Sequence, residues 1–508
     1  MADPDVSGGV VLGIVGTGLM GRGIAQVAAQ AGIETLLCDA DPLAAPAAKL
    51  AIATALSRLA DKGRLTRDAA ASAIGRLRPV DGLASFSACH IVIEAIAEDL
   101  EAKQDVFRRL EPVVPADCVL ATNTSSLSVA AIASACARPG RVAGMHFFSP
   151  VPLMKVVEVI DGLRTEPWVG EALVRLARRL GHEPVRAADS PGFIVNHAGR
   201  AYGTEALRIL SEGIAGFEVI DRILREGAGF RMGPFELMDL TGLDVSQPVM
   251  DSIYHQFYEE PRFRPSPILA QRRAAGLLGR KSGQGFYTYV EGVAQPIAVA
   301  PAGEVRPVRV WISRDIPDAH RDVSALVARL GERADESAQP PSDALCVVTP
   351  IGADATTTAL SQGLDPTRTV AIDALFGLAS HRTLMTTPVT AEGMREAARG
   401  LFGADGIPVS VIHDSAGFVA QRVVAHIVNV ACDMAQGRIA TPADIEHAVT
   451  LGLGYRQGPL AMGDALGPAR VLAILEAMYD CYRDPRYRPS PWLARLARLA
   501  VSLVAPES

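Results

Sequence analysis

Cysteine is sparse and unpatterned: seven residues, at 38, 89, 118, 136, 346, 432 and 481, with no two close enough for CxxC. An odd, scattered set excludes a disulfide framework and a zinc site, and fits a reducing cytoplasm. An excess of basic residues is also lacking. Forty-nine Lys and Arg stand against 56 Asp and Glu, a net charge of −7, which argues against nucleic acid or an anionic membrane as the main partner. No apolar run reaches the ~20 residues needed to cross a bilayer. The opening MADPDVSGG carries acids where a signal peptide needs bases. What is present is an ordinary globular mixture, 49% hydrophobic and 21% charged, able to bury a large core. At ~100–200 residues per domain, three or four domains are expected of a soluble, cytoplasmic protein.

The chain opens as strand, turn, helix. Val10–Val15 is apolar and β-branched, Gly16-Thr-Gly-Leu-Met-Gly21 follows, and Ile24, Val27, Ala28 and Ala31 then recur at helical spacing. Further apolar runs end at Cys38, span His90–Ile96 and Cys118–Ala121, and alternate with helical stretches, the pattern of a parallel sheet with crossover helices. From Ser190 to about Arg273 the spacing is helical throughout, and Glu291–Pro307 reads as a linker. The strongest organisational signal is a repeat. Asp189-Ser-Pro-Gly-Phe193 returns as Asp414-Ser-Ala-Gly-Phe418, and Gly233-Pro234, Asp239 and Gly242 return as Gly458-Pro459, Asp464 and Gly467, all 225 positions later. Arg262-Phe-Arg-Pro-Ser-Pro267 returns as Arg486-Tyr-Arg-Pro-Ser-Pro491, shifted by one. A period this long means duplicated domains. The expected architecture is an α/β Rossmann domain (1–188) and an all-α domain (189–290), followed by a degenerate second copy of both (303–410 and 411–508). The second sheet copy has strands at Leu345–Val348 and Thr369–Ile372 but no glycine loop, and no histidine if Arg141–His146 aligns with Arg368 to Asp373 or Ala374.

Gly16-x-Gly18-x-x-Gly21 between a strand and a helix has the context of a dinucleotide-binding turn. The first glycine makes the turn, the second admits a pyrophosphate, and the third lets helix pack on strand. The pyrophosphate meets the helix N-terminus at Leu19 and Met20. Asp39, 18 residues beyond Gly21, would accept from a ribose 2′-hydroxyl and repel a 2′-phosphate, so NAD is expected over NADP. Farther on, His146 follows a short apolar run and Glu158 lies twelve residues later. A carboxylate on one ring nitrogen would orient the histidine as a general base. The other reading is a histidine satisfied by backbone in a core loop.

In these motifs the chain resembles the L-3-hydroxyacyl-CoA dehydrogenase family. They are GTGLMGRGIAQ (16–26), IEAIAEDLEAK (93–103), TNTSSL (122–127), HFFSPVPLMKVVEV (146–159), DSPGFIVN (189–196) and GRKSGQGFY (279–287). The repeated half is similar to the long bacterial form, which includes 3-hydroxybutyryl-CoA and phenylacetate-pathway 3-hydroxyadipyl-CoA dehydrogenases. The resemblance implies NAD-dependent oxidation of (S)-3-hydroxyacyl-CoA. His146 would be the base and Glu158 its partner, Ser125 would bond the substrate hydroxyl, and Asn196 would hold the thioester and reacting oxygen. Glu98, Lys103, Ser125 and Lys281 would lie near the cofactor. Where the family has asparagine in HFFNP this chain has Ser149, which shortens or removes one cofactor contact. Lys62 and Arg64 are candidate contacts to the polyanionic CoA. No metal is expected.

Two-domain members pair through their helical domains, so the second helical copy would supply that surface internally, as a pseudo-dimer. Homodimerisation of the whole chain remains open. Asn196 corresponds to Gln421, and the second half is expected to pack and not to turn over substrate. The competing readings are a β-hydroxyacid dehydrogenase with a non-CoA substrate and a non-catalytic cofactor-binding protein.

Overall fold

The computed structural model describes residues 9–297 and 305–505. Most of MADPDVSGG and part of the linker Glu291–Pro307 therefore lie outside the described residues. The chain groups into two compact units. One runs to His197 and includes Gly437–Gly454, and the other comprises Ala198–Gln436 and the chain from Tyr455 on.

The first unit is built on an eight-stranded sheet. Its strands are β1 (Val11–Val15), β2 (Glu34–Cys38), β3 (Leu77–Pro79), β4 (Ile91–Glu94), β5 (Val119–Thr122), β6 (Val142–Phe147), β7 (Val156–Asp161) and β8 (Glu183–Ala188). Their order is β3-β2-β1-β4-β5-β6-β7-β8. The first six are parallel, and β7 runs antiparallel to β6 with His146 directly opposite Glu158. The sequence pattern pointed to a parallel sheet and did not register this reversal. β6 and β7 are joined by only Phe148–Lys155, too short for the crossover that a parallel neighbour needs. Strand order reverses between β1 and β4, the switch point where α/β sheets open a crevice beyond their strand ends. Leu12, Ile14, Ile91, Ile93, Val119 and Ala121 are buried in one core with Ile24, Val27 and Ala28 of the helix Leu19–Gln30. Strands covered on both faces read as continuous apolar runs, which is why they were visible in sequence.

The second unit begins within the helix Val195–Ser211 and continues with helices Phe217–Arg222, Pro234–Thr241, Leu243–Gln256 and Pro267–Ala274. A short hairpin, β9 (Tyr289–Val290) and β10 (Val293–Ala294), has its second strand where the sequence reads as linker. A six-stranded sheet follows, with β11 (Arg309–Ile312), β12 (Ala334–Asp335), β13 (Ala344–Val348), β14 (Thr369–Ile372), β15 (Arg382–Thr386) and β16 (Val409–Ile412). Its order is β12-β11-β13-β14-β15-β16, again with one antiparallel step, between β14 and β15. Arg141 braces the start of β6 by donating to the Pro115 carbonyl at 2.6 Å, and Arg368 braces β14 by donating to the Pro341 carbonyl at 2.6 Å.

The helix Val419–Gln436 is buried nearly all round, as an interior helix must be. Two of its polar residues are tied off inside. Arg422, fully buried, donates to Glu205, Glu212, Ser415, Tyr482 and Tyr487, and Asn429 donates to the Arg488 carbonyl. Two contacts in this unit are reciprocal: Arg262 donates to the Arg488 carbonyl at 2.7 Å, and Arg486 donates to the Arg264 carbonyl at 3.3 Å. Another pair relates the units' edge strands. The Ala188 amide bonds the Ile439 carbonyl inside the first unit at 2.7 Å, and the His413 amide bonds the Ile214 carbonyl inside the second at 3.0 Å.

Candidate active site

The loop after β1 is shaped by what its glycines exclude. A Cβ on Gly16, whose φ is +90°, would lie 2.5 Å from the Ala95 carbonyl oxygen, and one on Gly21 would lie 1.8 Å from the Gly16 carbonyl oxygen. Both positions require glycine for the fold itself. Gly18 differs, because a Cβ there would meet nothing within 4 Å. The space beside it is open at the N-terminus of the helix Leu19–Gln30, where free amides favour an anion. Leu19 is exposed and Met20 half-buried. Asp39, at the end of β2, accepts from the Thr17 amide (2.6 Å) and the Thr17 hydroxyl (2.8 Å) through Oδ2. Burial alone would raise its pKa, but these bonds hold it below the ordinary carboxylate value. The carboxylate thus stays charged, with acceptor capacity for a ribose. Thr17 thereby aims Asp39. The donor set and the open space at Gly18 fit a dinucleotide.

Beyond β4 and β5 a chain of buried polar groups shapes the next loops. Lys103 is 1% exposed and donates to Glu94 at 2.7 Å, with Glu98 at 3.3 Å. Glu94 also accepts from Thr122 and the Ile96 amide. Glu98 in turn accepts from the Thr124 hydroxyl and from the amides of Ser125 (2.8 Å) and Ser126 (3.0 Å). Burial would raise the Glu98 pKa, but the Thr124 bond and the Lys103 charge hold it below its ordinary value. Lys103 is therefore a buried anchor for Glu98, and Glu98 folds the loop that carries half-buried Ser125, whose hydroxyl lies 3.3 Å from the Glu98 carboxylate.

His146 is 5% exposed, with its ring centroid 4.4 Å from that of Phe148 and 5.8 Å from that of Phe193. Its Nδ1 lies 2.6 Å from Oε2 of fully buried Glu158. The other carboxylate oxygen, Oε1, accepts the amides of Ile194 (2.9 Å) and Val195 (2.8 Å) at the start of the helix Val195–Ser211. Glu158 thus orients the imidazole and caps the helix whose first turn carries Asn196. The Asn123 side chain accepts from the Phe147 amide at 2.9 Å and locks the end of β6 against β5. Sequence reading missed Glu94, Thr17 and Asn123 as site-shaping residues. An acid inside an apolar strand, and polar residues flanking the glycine and serine loops, were the available signals.

The other candidates are placed as follows. Ser149 is exposed and lines a groove of about 470 Å3 with Leu19, Arg22, Arg58 and Pro152. Lys62 and Arg64 are exposed at the turn just beyond the helix Ala44–Asp61, outside this groove, whose own cations are Arg22 and Arg58. Lys281 belongs to the second unit, half-exposed and ion-paired with Asp244.

Comparison with known proteins agrees with this geometry. Residues 11–190 match the model for the 3-hydroxyacyl-CoA dehydrogenase NAD binding domain. The model for the C-terminal domain of that family matches twice, at 192–289 and 417–501. The chain belongs to the 3-hydroxyacyl-CoA dehydrogenase family. It is 38% identical over 487 residues to the 3-hydroxyadipyl-CoA dehydrogenase of Escherichia coli K12, covering 96% of this chain and 97% of that one. It is 41% identical to a probable 3-hydroxybutyryl-CoA dehydrogenase of Deinococcus radiodurans, which covers 54% of this chain and is itself 99% covered. Among solved structures, 3-hydroxybutyryl-CoA dehydrogenase from Escherichia coli K12 superposes with a TM-score of 0.85 at 36% identity, over 97% of this chain and 99% of that one. No helix of the described residues is long and apolar enough to cross a membrane.

Proposed function

We propose that this enzyme oxidises (S)-3-hydroxyacyl-CoA to 3-ketoacyl-CoA with NAD in the cytoplasm, on substrates of the 3-hydroxybutyryl-CoA or 3-hydroxyadipyl-CoA type. The observation that carries this is the His146–Glu158 pair at 2.6 Å, with Glu158 pinned on its far side by two amides. A carboxylate on Nδ1 keeps the proton there and leaves Nε2 as the base. Nε2 takes the proton of the 3-hydroxyl, and Glu158 stabilises the imidazolium that forms. Help of this kind contributes roughly 10²–10⁴-fold. Bound NAD supplies the hydride acceptor for C3, held by the glycine loop, Asp39 and the loops that Glu98 and Lys103 shape. Ser125 and Asn196 hold the reacting oxygen and the thioester. CoA runs along Arg22 and Arg58 in the Ser149 groove, with Lys62 and Arg64 at its outer end.

The domain plan in this reading is 1–188, 189–290, 303–410 and 411–508, the last two being a degenerate copy of the first two. The twice-matched family model and the Arg141 and Arg368 braces support it. The helical copies form an internal pseudo-dimer. Its support is the reciprocity of the Arg262–Arg488 and Arg486–Arg264 bonds, the signature of a two-fold contact.

The test is NADH formation at 340 nm with 3-hydroxybutyryl-CoA and 3-hydroxyadipyl-CoA side by side, NAD against NADP. Turnover of at least one substrate, with NAD preferred at least tenfold, is expected. Activity with neither overturns the assignment.

A further inference from the structure

In the second unit, Arg368 and the register of β14 with β15 put Asp373 where His146 stands in the first sheet, and Thr383 where Glu158 stands. The Asp373 amide bonds the Thr383 carbonyl, just as His146 lies opposite Glu158. Gln421, the counterpart of Asn196, donates to Asp373 Oδ1 at 3.0 Å. Asp373 is fully buried, and its Oδ2 has no partner among the described residues. The dehydrogenase triad has thus become a different polar cluster.

The crevice beyond the strand ends survives in two parts. The smaller, about 180 Å3, lies beyond β11, β13 and β14 and is lined by Asp318, Asp322 and Arg470. Asp318 sits in the first turn of the helix Pro317–Arg329, where the first sheet has its glycine loop, and is paired with Arg470 at 3.3 Å. Carboxylates at that helix N-terminus repel a pyrophosphate.

The larger part shares Ala465 and Leu466 with the smaller and measures about 400 Å3, within the roughly 300–1,000 Å3 range of small-molecule sites. Its walls include Phe230, Phe376, Val424, Met462 and Leu466, and its single charged lining residue is Arg456. Arg456 is exposed and makes no ion pair or hydrogen bond among the described residues. Phe230 packs edge-on against Tyr455 at 5.1 Å, and the buried Tyr455 hydroxyl has no partner there either. An apolar cavity with one uncompensated guanidinium at its edge matches a ligand with an aliphatic body and one anionic planar end.

We propose that this cavity binds a free medium-chain aliphatic carboxylate, its carboxylate on Arg456 and its chain among Phe230, Phe376, Val424, Met462 and Leu466. The site shares no residue with the dehydrogenase centre and takes no dinucleotide.

The probe is octanoate, titrated calorimetrically into the full-length protein with NAD and acetoacetyl-CoA present in excess to fill the dehydrogenase site. One saturable site is expected. Arg456→Glu should weaken it at least tenfold, Met462→Trp should abolish it by filling the cavity, and octanol should bind at least tenfold more weakly than octanoate. Both variants should keep NADH formation within twofold of wild type. With methyl-labelled methionine, the Met462 resonance of the unmutated protein should shift on octanoate addition, a reading independent of how the variants fold. No saturable octanoate binding, binding that both variants leave unchanged, or an unmoved Met462 signal overturns the proposal. An inactive protein that still binds octanoate would refute the dehydrogenase reading and leave this one standing.

Discussion

Replacing Glu158 with glutamine removes one charge and keeps nearly every hydrogen bond, so it isolates the orientation of His146. The two carboxylate oxygens face different partners: Oε1 accepts two amides, and Oε2 meets His146 Nδ1. A glutamine must turn its oxygen toward the amides of Ile194 and Val195, because an NH₂ there would face two donors. Its NH₂ then points at Nδ1, which becomes an acceptor. The proton moves to Nε2, the atom that has to take the substrate's proton. The expected loss in kcat is about 10³–10⁴-fold, roughly 4–5.5 kcal/mol, the size of the wrong-tautomer effect in serine proteases. The helix cap survives, so the thermal midpoint should fall by no more than a few degrees, and the NAD dissociation constant should stay within threefold. Stopped-flow NADH formation, differential scanning calorimetry and fluorescence titration with NADH read the three quantities. A Glu158→Gln enzyme within tenfold of wild-type kcat would refute the argument, since His146 would then not depend on its tautomer.

The glycine loop separates fold from binding: Gly18→Val should leave the melting temperature unchanged yet raise the KM for NAD at least tenfold, whereas Gly21→Ala should lower the melting temperature as well, because its Cβ strikes backbone at 1.8 Å. Equal melting behaviour of the two variants would contradict this. Arg422→Met takes from Glu205, which is 0% exposed, its nearest cation and leaves it Arg486 at 3.5 Å and the Tyr487 hydroxyl at 3.0 Å, so it should destabilise the second unit by about 3 kcal/mol in urea titration. Adding Glu205→Met should recover most of that loss, and a double variant no better than the single would count against the buried pair as its source. Asp405, held at about 2 by its bidentate bond to buried Arg382, should contribute about 1 kcal/mol once its 40% exposure is discounted for solvent screening. Because the folded value is depressed, that stability is present above the ordinary carboxylate pKa and lost as pH falls through about 2, so Asp405→Asn should destabilise at pH 7 but not at the acid end.

The parts of this fold legible in sequence are those with a local signature. β1, β4 and β5 are apolar runs because both faces of the sheet are covered, and Gly16, Gly18 and Gly21 are forced by backbone approach. His146 and Glu158 were readable from their motif and twelve-residue spacing, whereas the antiparallel ladder rung that sets them opposite each other was not. What was hidden depends on long-range pairing. Lys103 looks like a surface lysine on a charged helix, and only the strand beneath it, with Glu94 at 2.7 Å, makes it interior. Asp189 looks like a turn former, yet its carboxylate accepts the Val129 and Ala130 amides and caps a helix some 60 residues earlier. Asp414 does the same for Ala355 and Thr356, so the repeated aspartate marks a structural cap and not a catalytic one.

That distinction explains which positions the two halves share. Those that repeat are backbone-bound: the aspartate caps, the arginine braces, and Arg262 and Arg486, which donate to the Arg488 and Arg264 carbonyls. Each satisfies buried main-chain groups that no substitution of chemistry can release from their need for a partner. The positions that differ carry no such obligation, and they differ together. Asp373 in place of His146 would leave a buried acid facing a second acid, were Glu158's counterpart still glutamate. Two carboxylates at that distance cannot both ionise. Thr383 removes the conflict, and Gln421, one methylene longer than asparagine, reaches Asp373 to supply a donor. In the proposed duplication, the second half keeps the frame of the first while its cleft carries a different self-consistent set of polar side chains.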